Sequence, residues 1–116
     1  MVPKDSLHLE NIIEYANDLD AAFDELSIDY DSFCNSVVLR GTLAFFVEHI
    51  GEEAGKLSTE FKKDHPEMDW EAIVNFRHHI VHGYHGVIAE VLWDTAQNDV
   101  PELKAFCQKI LKNSKN

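Results

Sequence analysis

Hydrophobic positions near the start of the chain recur at steps of three and four residues, the period of a helix that buries one face. They are Leu9, Ile12, Ile13, Ala16, Leu19 and Phe23. Residues 24–32, "DELSIDYDS", then interrupt the pattern with acidic and turn-forming side chains. The pattern predicts a first amphipathic helix that ends in a break.

A longer second helix is predicted to begin near Asp31 or Ser36. Its apolar positions alternate steps of four and three, as in the seam of a coiled coil. They are Leu43, Val47, Ile50, Ala54, Leu57 and Phe61. Gly41, Gly51 and Gly55 lie inside this stretch, and each costs about 1 kcal/mol relative to alanine within a helix. We therefore expect another helix to pack very closely against them.

The next break is "KKDHPEMD", after which Asp69 can act as the N-cap of a helix that begins at Trp70 and stops at Gly83. A further helix is predicted over residues 87–97. Its inward face is formed by Ile88, Val91, Leu92 and Thr95. Trp70 and Trp93 are interpreted as packing anchors.

The last helix is predicted to restart at "QNDVPEL", with Asp99 as N-cap and Pro101 in the first turn. The side chains predicted to face the core there are Val100, Leu103, Phe106, Cys107, Ile110 and Leu111. No alternating strand pattern of useful length and no internal repeat occurs in the sequence. Residues 1–116 are therefore expected to form one all-α domain, an antiparallel bundle of four to five helices.

Composition places the chain among ordinary globular proteins, with 45% hydrophobic and 27% charged residues. The longest purely apolar run, residues 43–47, is too short to span a bilayer, and the N-terminus lacks the pattern of a secretory signal. Cys34 and Cys107 are isolated in sequence, as expected for small core side chains in a reducing cytoplasm.

The formal net charge of −11 argues against broad, nonspecific binding of nucleic acids. The distribution of charge is more informative. Residues 72–89 contain no Asp or Glu, although 21 of 116 residues are acidic and random placement would put about three there. This acid-free window holds Arg77, one of two arginines in the chain, and four of the seven histidines. Such a segment is typical of a site for an anion.

Arg77 and His82 suit the cleavage of RNA. Arginine binds phosphate with a rigid bidentate fork, and histidine exchanges a proton near neutral pH. His82 would deprotonate the ribose 2′-OH while Arg77 stabilises charge on the phosphate oxygens. This chemistry requires no metal and no cofactor, and it would leave DNA uncut. The two residues diverge by about 140° on an ideal helix, so they meet either where the helix ends at Gly83 or across a symmetric dimer.

The stretch "RHHIVHGY" resembles the Arg–four residues–His–any residue–Tyr signature of HepT-type HEPN ribonuclease toxins, with His78 as the polar residue that follows the arginine. The flanking "HP…W" break and "DVPEL" restart are similar to that family as well. The resemblance implies an HEPN-like helical bundle that dimerises, and an endoribonuclease whose two motifs line a shared cleft.

The resemblance also implies roles for individual residues. Arg77 and His82 would be catalytic, His78 would support them, and Tyr84 would be the site of adenylylation by an MntA-like nucleotidyltransferase antitoxin. Arg40 is a further candidate for substrate binding, because the family often has an arginine at the corresponding place in the long helix. Packing or an ion pair is the alternative for Arg40.

Other functions remain open. His78, His82 and His85 have spacings that could hold a metal, but the window lacks carboxylates and cysteines, which disfavours a metal site. A second function class is a non-catalytic HEPN module that associates with a nucleotidyltransferase and binds nucleotide or RNA, and a third is a structural subunit. His79 and His85 are interpreted as structural residues. The RNA class, tRNA or mRNA, is not specified by the sequence.

Overall fold

A computed structural model describes residues 2–75 and 89–114 of the chain. Within these two ranges the regular structure is entirely helical, which confirms the all-α class. The elements are α1 (Pro3–Glu25), α2 (Tyr30–Cys34), α3 (Val37–Gly55), α4 (Thr59–Asp64), α5 (described over residues 70–75), α6 (Ala89–Asp94), a π-helical turn (Thr95–Asp99) and α7 (Val100–Ser114). None of the described helices is long and apolar enough to cross a bilayer.

Helices α1 and α3 pack against each other in opposite directions. Near the start of α1, His8 Nδ1 lies 2.6 Å from Glu53 Oε2 near the end of α3. Further along, the rings of Tyr15 and His49 are 5.3 Å apart. The predicted first helix and its apolar face are thereby confirmed. The buried side chains between these helices and α7 include Leu9, Ile12, Ala16, Leu19, Leu43, Val47, Ala54, Leu103 and Cys107.

The start of the predicted long helix is correct in one of its two alternatives. Ser36 is the N-cap of α3, and its Oγ accepts a hydrogen bond from the Leu39 backbone N–H at 3.2 Å. The other alternative, Asp31, lies within the separate short helix α2. Asp29 caps α2 through a reciprocal pair of hydrogen bonds with Ser32. The capping side chains therefore divide this part of the chain into two helices.

The predicted continuation of that helix to Phe61 is wrong. Helix α3 ends at Gly55, and Ser58 starts α4 by accepting the Phe61 N–H at 3.1 Å. The carboxylate of Asp5, 1% exposed, accepts the Ser58 N–H at 2.8 Å and the Ser58 hydroxyl at 2.7 Å. A serine held in this way by a distant residue offers the backbone an alternative to the helical ladder. Leu57 and Phe61 remain buried even though the helix breaks between them.

Two glycines of α3, Gly41 and Gly55, do not show the predicted close helix contacts within the described part of the chain. A Cβ added at Gly41 would meet nothing within 4 Å, so no described helix of the same chain packs closely there. A Cβ at Gly55 would lie 3.7 Å from Val74 Cγ2, which is an ordinary van der Waals contact. Gly51 is buried.

The predicted restart of a separate helix at Asp99 is also wrong. Helices α6 and α7 join through the π-helical turn, in which the Val100 N–H donates to the Thr95 carbonyl. Pro101 has no N–H for the helical ladder, and the wider turn passes the chain through this irregularity without a break. Val91, predicted on the buried face, is 43% exposed, whereas Leu92 is buried. The predicted inner face of α7 is confirmed, and all six of its side chains belong to the core or pack against it.

Both tryptophans act as packing anchors, as predicted. Trp70 is 7% exposed and its Nε1 donates to the His65 carbonyl at 2.9 Å. Trp93 contacts the rings of Phe23, Tyr30 and Phe33 at centroid distances of 5.6, 5.5 and 5.3 Å. These contacts hold the start of α5 and the end of α6 against the core, on either side of the acid-free window.

Candidate functional site

Helix α5 leads the chain into the acid-free window. Its N-cap is Asp69, as predicted, because the Asp69 Oδ1 accepts the Ala72 N–H at 3.1 Å. The carboxylate also favours the positive end of the helix dipole. Together with the Trp70 anchor, this cap sets the direction in which the chain enters residues 72–89.

The residues predicted to carry the chemistry at the window lie outside the described residues. They are Arg77, His78, His82 and Tyr84. His79 and His85, interpreted as structural, lie outside the described residues as well. Their convergence on one phosphodiester, and the competing metal interpretation, therefore stay predictions. Among the residues that the structure describes, no group of three or more His, Cys, Asp or Glu side chains could hold a metal ion.

A groove lies between α3, α5 and the stretch from α6 to α7, with a volume of about 870 Å³. Its described lining combines apolar side chains with carboxylates and contains no Lys or Arg. The apolar part includes Val47, Ile50, Met68, Ile73, Val91, Val100 and Leu103, and the acidic part is Asp69, Glu90, Asp94, Asp99 and Glu102. Both helices that flank the acid-free window contribute to this groove.

Two neighbouring carboxylates, Asp94 and Glu102, repel the carboxylate of Asp99. Burial raises the pKa of Asp99 above its ordinary value, and the neighbouring charges of Asp94 and Glu102 raise it further, while a hydrogen bond with Thr95 opposes the rise. A phosphate would meet the same repulsion. Positive charge for an RNA phosphate therefore has to come from residues other than the described walls of this groove.

Arg40 is the one predicted site residue within the described ranges. Its Nη1 donates to the Cys34 carbonyl at 2.7 Å and lies 3.5 Å from the Phe33 carbonyl. These carbonyls belong to the C-terminal end of α2, where backbone acceptors lack helical partners. Arg40 therefore stabilises the end of α2, and its role toward a substrate stays a prediction.

The sequence interpretation missed the acidic side of the groove. The hydrophobic pattern places Asp94 in one helix, and Asp99 and Glu102 in the next. It therefore does not predict that these three carboxylates line the same wall of the groove. The signal was available in the composition, because the acid-free window is bracketed by Glu71 and Glu90 and followed by further acids. The predicted helix restart, with Pro101 in the first turn, separated these acidic residues into two elements.

These features define an all-α protein with an arginine–histidine–tyrosine window between two anchored helices. The chain belongs to the HepT-like ribonuclease family, because the family model described as "Ribonuclease HepT-like" matches residues 12–110. The family assignment supports a ribonuclease kind of enzyme, with RNA as its class of substrate.

Proteins named as ribonucleases are similar to most of the chain. "Putative RNase MJ1380" of Methanocaldococcus jannaschii is 32% identical over 83% of this chain and 86% of its own length. "Putative RNase TTE0752" of Caldanaerobacter subterraneus is 31% identical over 76% of this chain and 79% of its own. "Probable ribonuclease HepT" of Thermococcus cleftensis is 38% identical over 57% of this chain and 60% of its own. No solved structure matches the chain.

Proposed function

We propose that the protein is a metal-independent endoribonuclease, and that it acts as the toxin of a toxin–antitoxin pair. The observation that carries the proposal is the presence of Arg77, His82 and Tyr84, in the spacing described above, in a chain that belongs to the HepT-like ribonuclease family. A decayed scaffold would be under no constraint to retain these three residues together.

The proposed reaction uses the substrate's own nucleophile. His82 accepts the proton of a ribose 2′-OH, and the 2′-oxygen attacks the adjacent phosphorus. Arg77 binds the non-bridging oxygens and stabilises the charge that develops on them. The bond to the 5′-oxygen then breaks, and this oxygen leaves with a proton from the solvent. The products are a 2′,3′-cyclic phosphate and a 5′-hydroxyl. General base catalysis of this kind contributes a factor of about 10² to 10⁴ in rate.

His78 and Arg40 are proposed to support the substrate. The Nη1 of Arg40 is engaged by α2, which restricts the orientation of the guanidinium group, and the remaining N–H groups are the donors that would meet a phosphate. The charge distribution agrees with this arrangement, since acidic walls repel RNA and the acid-free window does not. RNA would therefore approach the protein at the window.

Regulation is proposed to act at Tyr84. An AMP group attached to Tyr84 by an MntA-like nucleotidyltransferase antitoxin adds bulk and a phosphodiester charge close to Arg77 in the sequence. It would compete with the RNA phosphate for the same guanidinium group. The active protein is proposed to be a homodimer in which each subunit contributes its motif to a shared cleft.

A non-catalytic binding module is the second candidate. The observation that favours it is the net charge of −11, which opposes the approach of a long RNA. Such a module would use the window to bind nucleotide or RNA and would associate with the nucleotidyltransferase without cleaving anything.

The test is cleavage of total RNA by the purified protein in the presence of EDTA. We expect cleavage by the wild type, and a loss of about 10² or more in rate for Arg77→Ala and for His82→Ala. His85→Ala is the matched control, because it removes an imidazole from the same window without a proposed catalytic role. Circular dichroism confirms that each variant is folded, and DNA incubated in the same way should remain intact.

The outcomes separate the candidates. RNA that is bound but left uncut by the wild type would replace the enzyme with the binding module. Cleavage that stops when EDTA is added would restore the metal interpretation. A His85→Ala variant as inactive as His82→Ala would contradict the specific assignment of His82.

A further inference from the structure

Helix α3 is apolar on two opposite sides. Residues 36–47 contain no Asp or Glu, although random placement would put about two there. The inner side is buried, yet Val37, Val38 and Phe45 are 58%, 69% and 50% exposed. A helix that is hydrophobic all round is normally covered on all sides. In this structure the outer side of α3 has no cover from the described residues.

The exposed side forms a continuous stripe. Val38, Gly41, Thr42 and Phe45 recur at steps of three and four and lie opposite the buried Leu43 and Val47; these four residues are called the outer stripe below. At its midpoint, a Cβ on Gly41 would meet nothing within 4 Å. The backbone is therefore open at the position where a second helix would cross most closely.

Acidic residues begin beyond the C-terminal end of this segment, at Glu48, and the ring of His49 packs against the Phe45 ring at a centroid distance of 4.2 Å. Arg40 is the one charged residue in residues 36–47, and its guanidinium group is held against the Cys34 carbonyl at the end of α2. The outer stripe itself carries no charge. Two copies of a protein with a net charge of −11 repel each other in general, and this repulsion is smallest where acid-free surfaces meet.

We propose that the outer stripe of a second copy covers the outer stripe of the first, across a two-fold axis. A patch that is apolar, uncharged and centred on a small residue is complementary to itself, which is what a two-fold interface requires. The same patch offers no cation to RNA and no charge to a strongly basic partner. This inference rests on the homodimer proposed above and assigns its interface.

The stripe also specifies which side chains meet. If the two helices cross in opposite directions with the axis between Gly41 and Thr42, Val38 of one copy lies against Phe45 of the other. The two large apolar groups then fill the space on either side of the two glycines. An arrangement of this kind buries both exposed side chains in each copy.

The first test is the mass of the full chain in solution as a function of concentration, measured by sedimentation equilibrium. We expect a dimer for the wild type. Val38→Glu and Phe45→Glu should weaken it by about two orders of magnitude, because each places two carboxylates within an apolar contact. Leu7→Glu and Leu26→Glu are the matched controls, since these leucines are 52% and 51% exposed on other elements and the charge change is the same.

The second test does not depend on the stability of the glutamate variants. Val38→Cys and Phe45→Cys are prepared separately in a Cys34→Ser chain and then mixed under mild oxidation. We expect a disulfide-linked dimer in the mixture at a yield several times that of either variant alone. Leu7→Cys, treated in the same way, provides the background yield.

The outcomes distinguish the interface from the function. A wild type that stays monomeric at all concentrations would overturn the interface together with the proposed homodimer, and the RNA cleavage assay would still decide the enzyme. A wild-type dimer that survives both glutamate substitutions, without enhanced cross-linking in the mixture, would overturn the interface alone.

Discussion

The two sides of α3 have the same kinds of side chain and different surroundings. On the inner side, which packs against α1, Leu43 and Val47 are 0% and 5% exposed. On the outer side, Val38 and Phe45 are 69% and 50% exposed. A hydrophobic side chain shows that its position gains stability from burial. It does not show whether the position is buried by the protein's own core or by another molecule.

Substitutions on the two sides should differ most in their effect on folding. Leu43→Ala leaves a cavity in the core and should lower the free energy of unfolding by about 2–5 kcal/mol. Phe45→Ala removes a larger side chain, yet it should lower the stability of the monomer by only about 1 kcal/mol, because half of the ring is exposed and its ring contacts are with Phe46 and His49 of the same helix. Urea denaturation at a protein concentration low enough to keep the chain monomeric measures both values.

The concentration dependence sharpens this comparison. At concentrations where the wild type is dimeric, Phe45→Ala should become distinctly destabilising, while the cost of Leu43→Ala should change little. A large, concentration-independent cost for Phe45→Ala would mean that its ring supports the monomer fold, and the distinction between the two sides of α3 would fail.

Much of the fold could be predicted because its signals are local. Ser36 and Asp69 cap their helices through hydrogen bonds to residues three positions further on. Ser58 caps α4 by the same three-residue contact, but a serine within an apolar period is compatible with a continuing helix, and the residue that holds Ser58 at the break is Asp5, 53 residues away. The continuity of α6 and α7 was missed for a related reason, since a π-helical turn accommodates Pro101 and leaves no pattern in the hydrophobic period.

The candidate site shows a similar division. Arg77, His82 and Tyr84 were recognised because their chemistry and spacing are contained in eight residues. The carboxylates of the groove come from α6, the π-helical turn and α7, so their proximity depends on a helical path that the sequence did not reveal. Arg40 was assigned by analogy, and the contact it makes with the Cys34 carbonyl is a tertiary detail.

The two cysteines provide a second comparison, between the interior and a partly exposed position. Cys107 is 0% exposed on the inner face of α7, and burial raises the pKa of its thiol to about 12. Because the thiolate is the reactive form, the reactive fraction at pH 8 is about a thousandfold smaller than for a thiol of ordinary pKa. Cys34, at the end of α2, is partly exposed.

Labelling with a thiol reagent at pH 8 should therefore proceed in two phases. One equivalent, assigned to Cys34, should react quickly, and the second should react only as the protein unfolds. Cys34→Ser should abolish the fast phase, and denaturant should merge the two. If both thiols of the native wild type reacted at the same rate, the core around α7 would be more open than the structure shows.

The smallest effect on stability is expected at Asp99, in the acidic groove that the inner side of α3 helps to line. Val47 and Ile50 share this groove with Asp99, whose pKa is raised by burial and by the charges of Asp94 and Glu102. Folded Asp99 holds its proton more tightly than unfolded Asp99. Its contribution to stability is therefore full below the unfolded pKa and is lost as the pH rises through the folded pKa.

Asparagine stays neutral, so Asp99→Asn avoids the loss of stability that follows the ionisation of Asp99. The variant should be more stable than the wild type near neutral pH by about 0.2–0.5 kcal/mol, a size typical of solvent-screened charges. The gain should disappear at low pH, where Asp99 is protonated in both states. Glu10→Gln, an exposed position on α1, makes the same change in net charge away from the groove. An equal gain from Glu10→Gln would attribute the effect to the overall charge of −11 and not to the repulsion among the groove carboxylates.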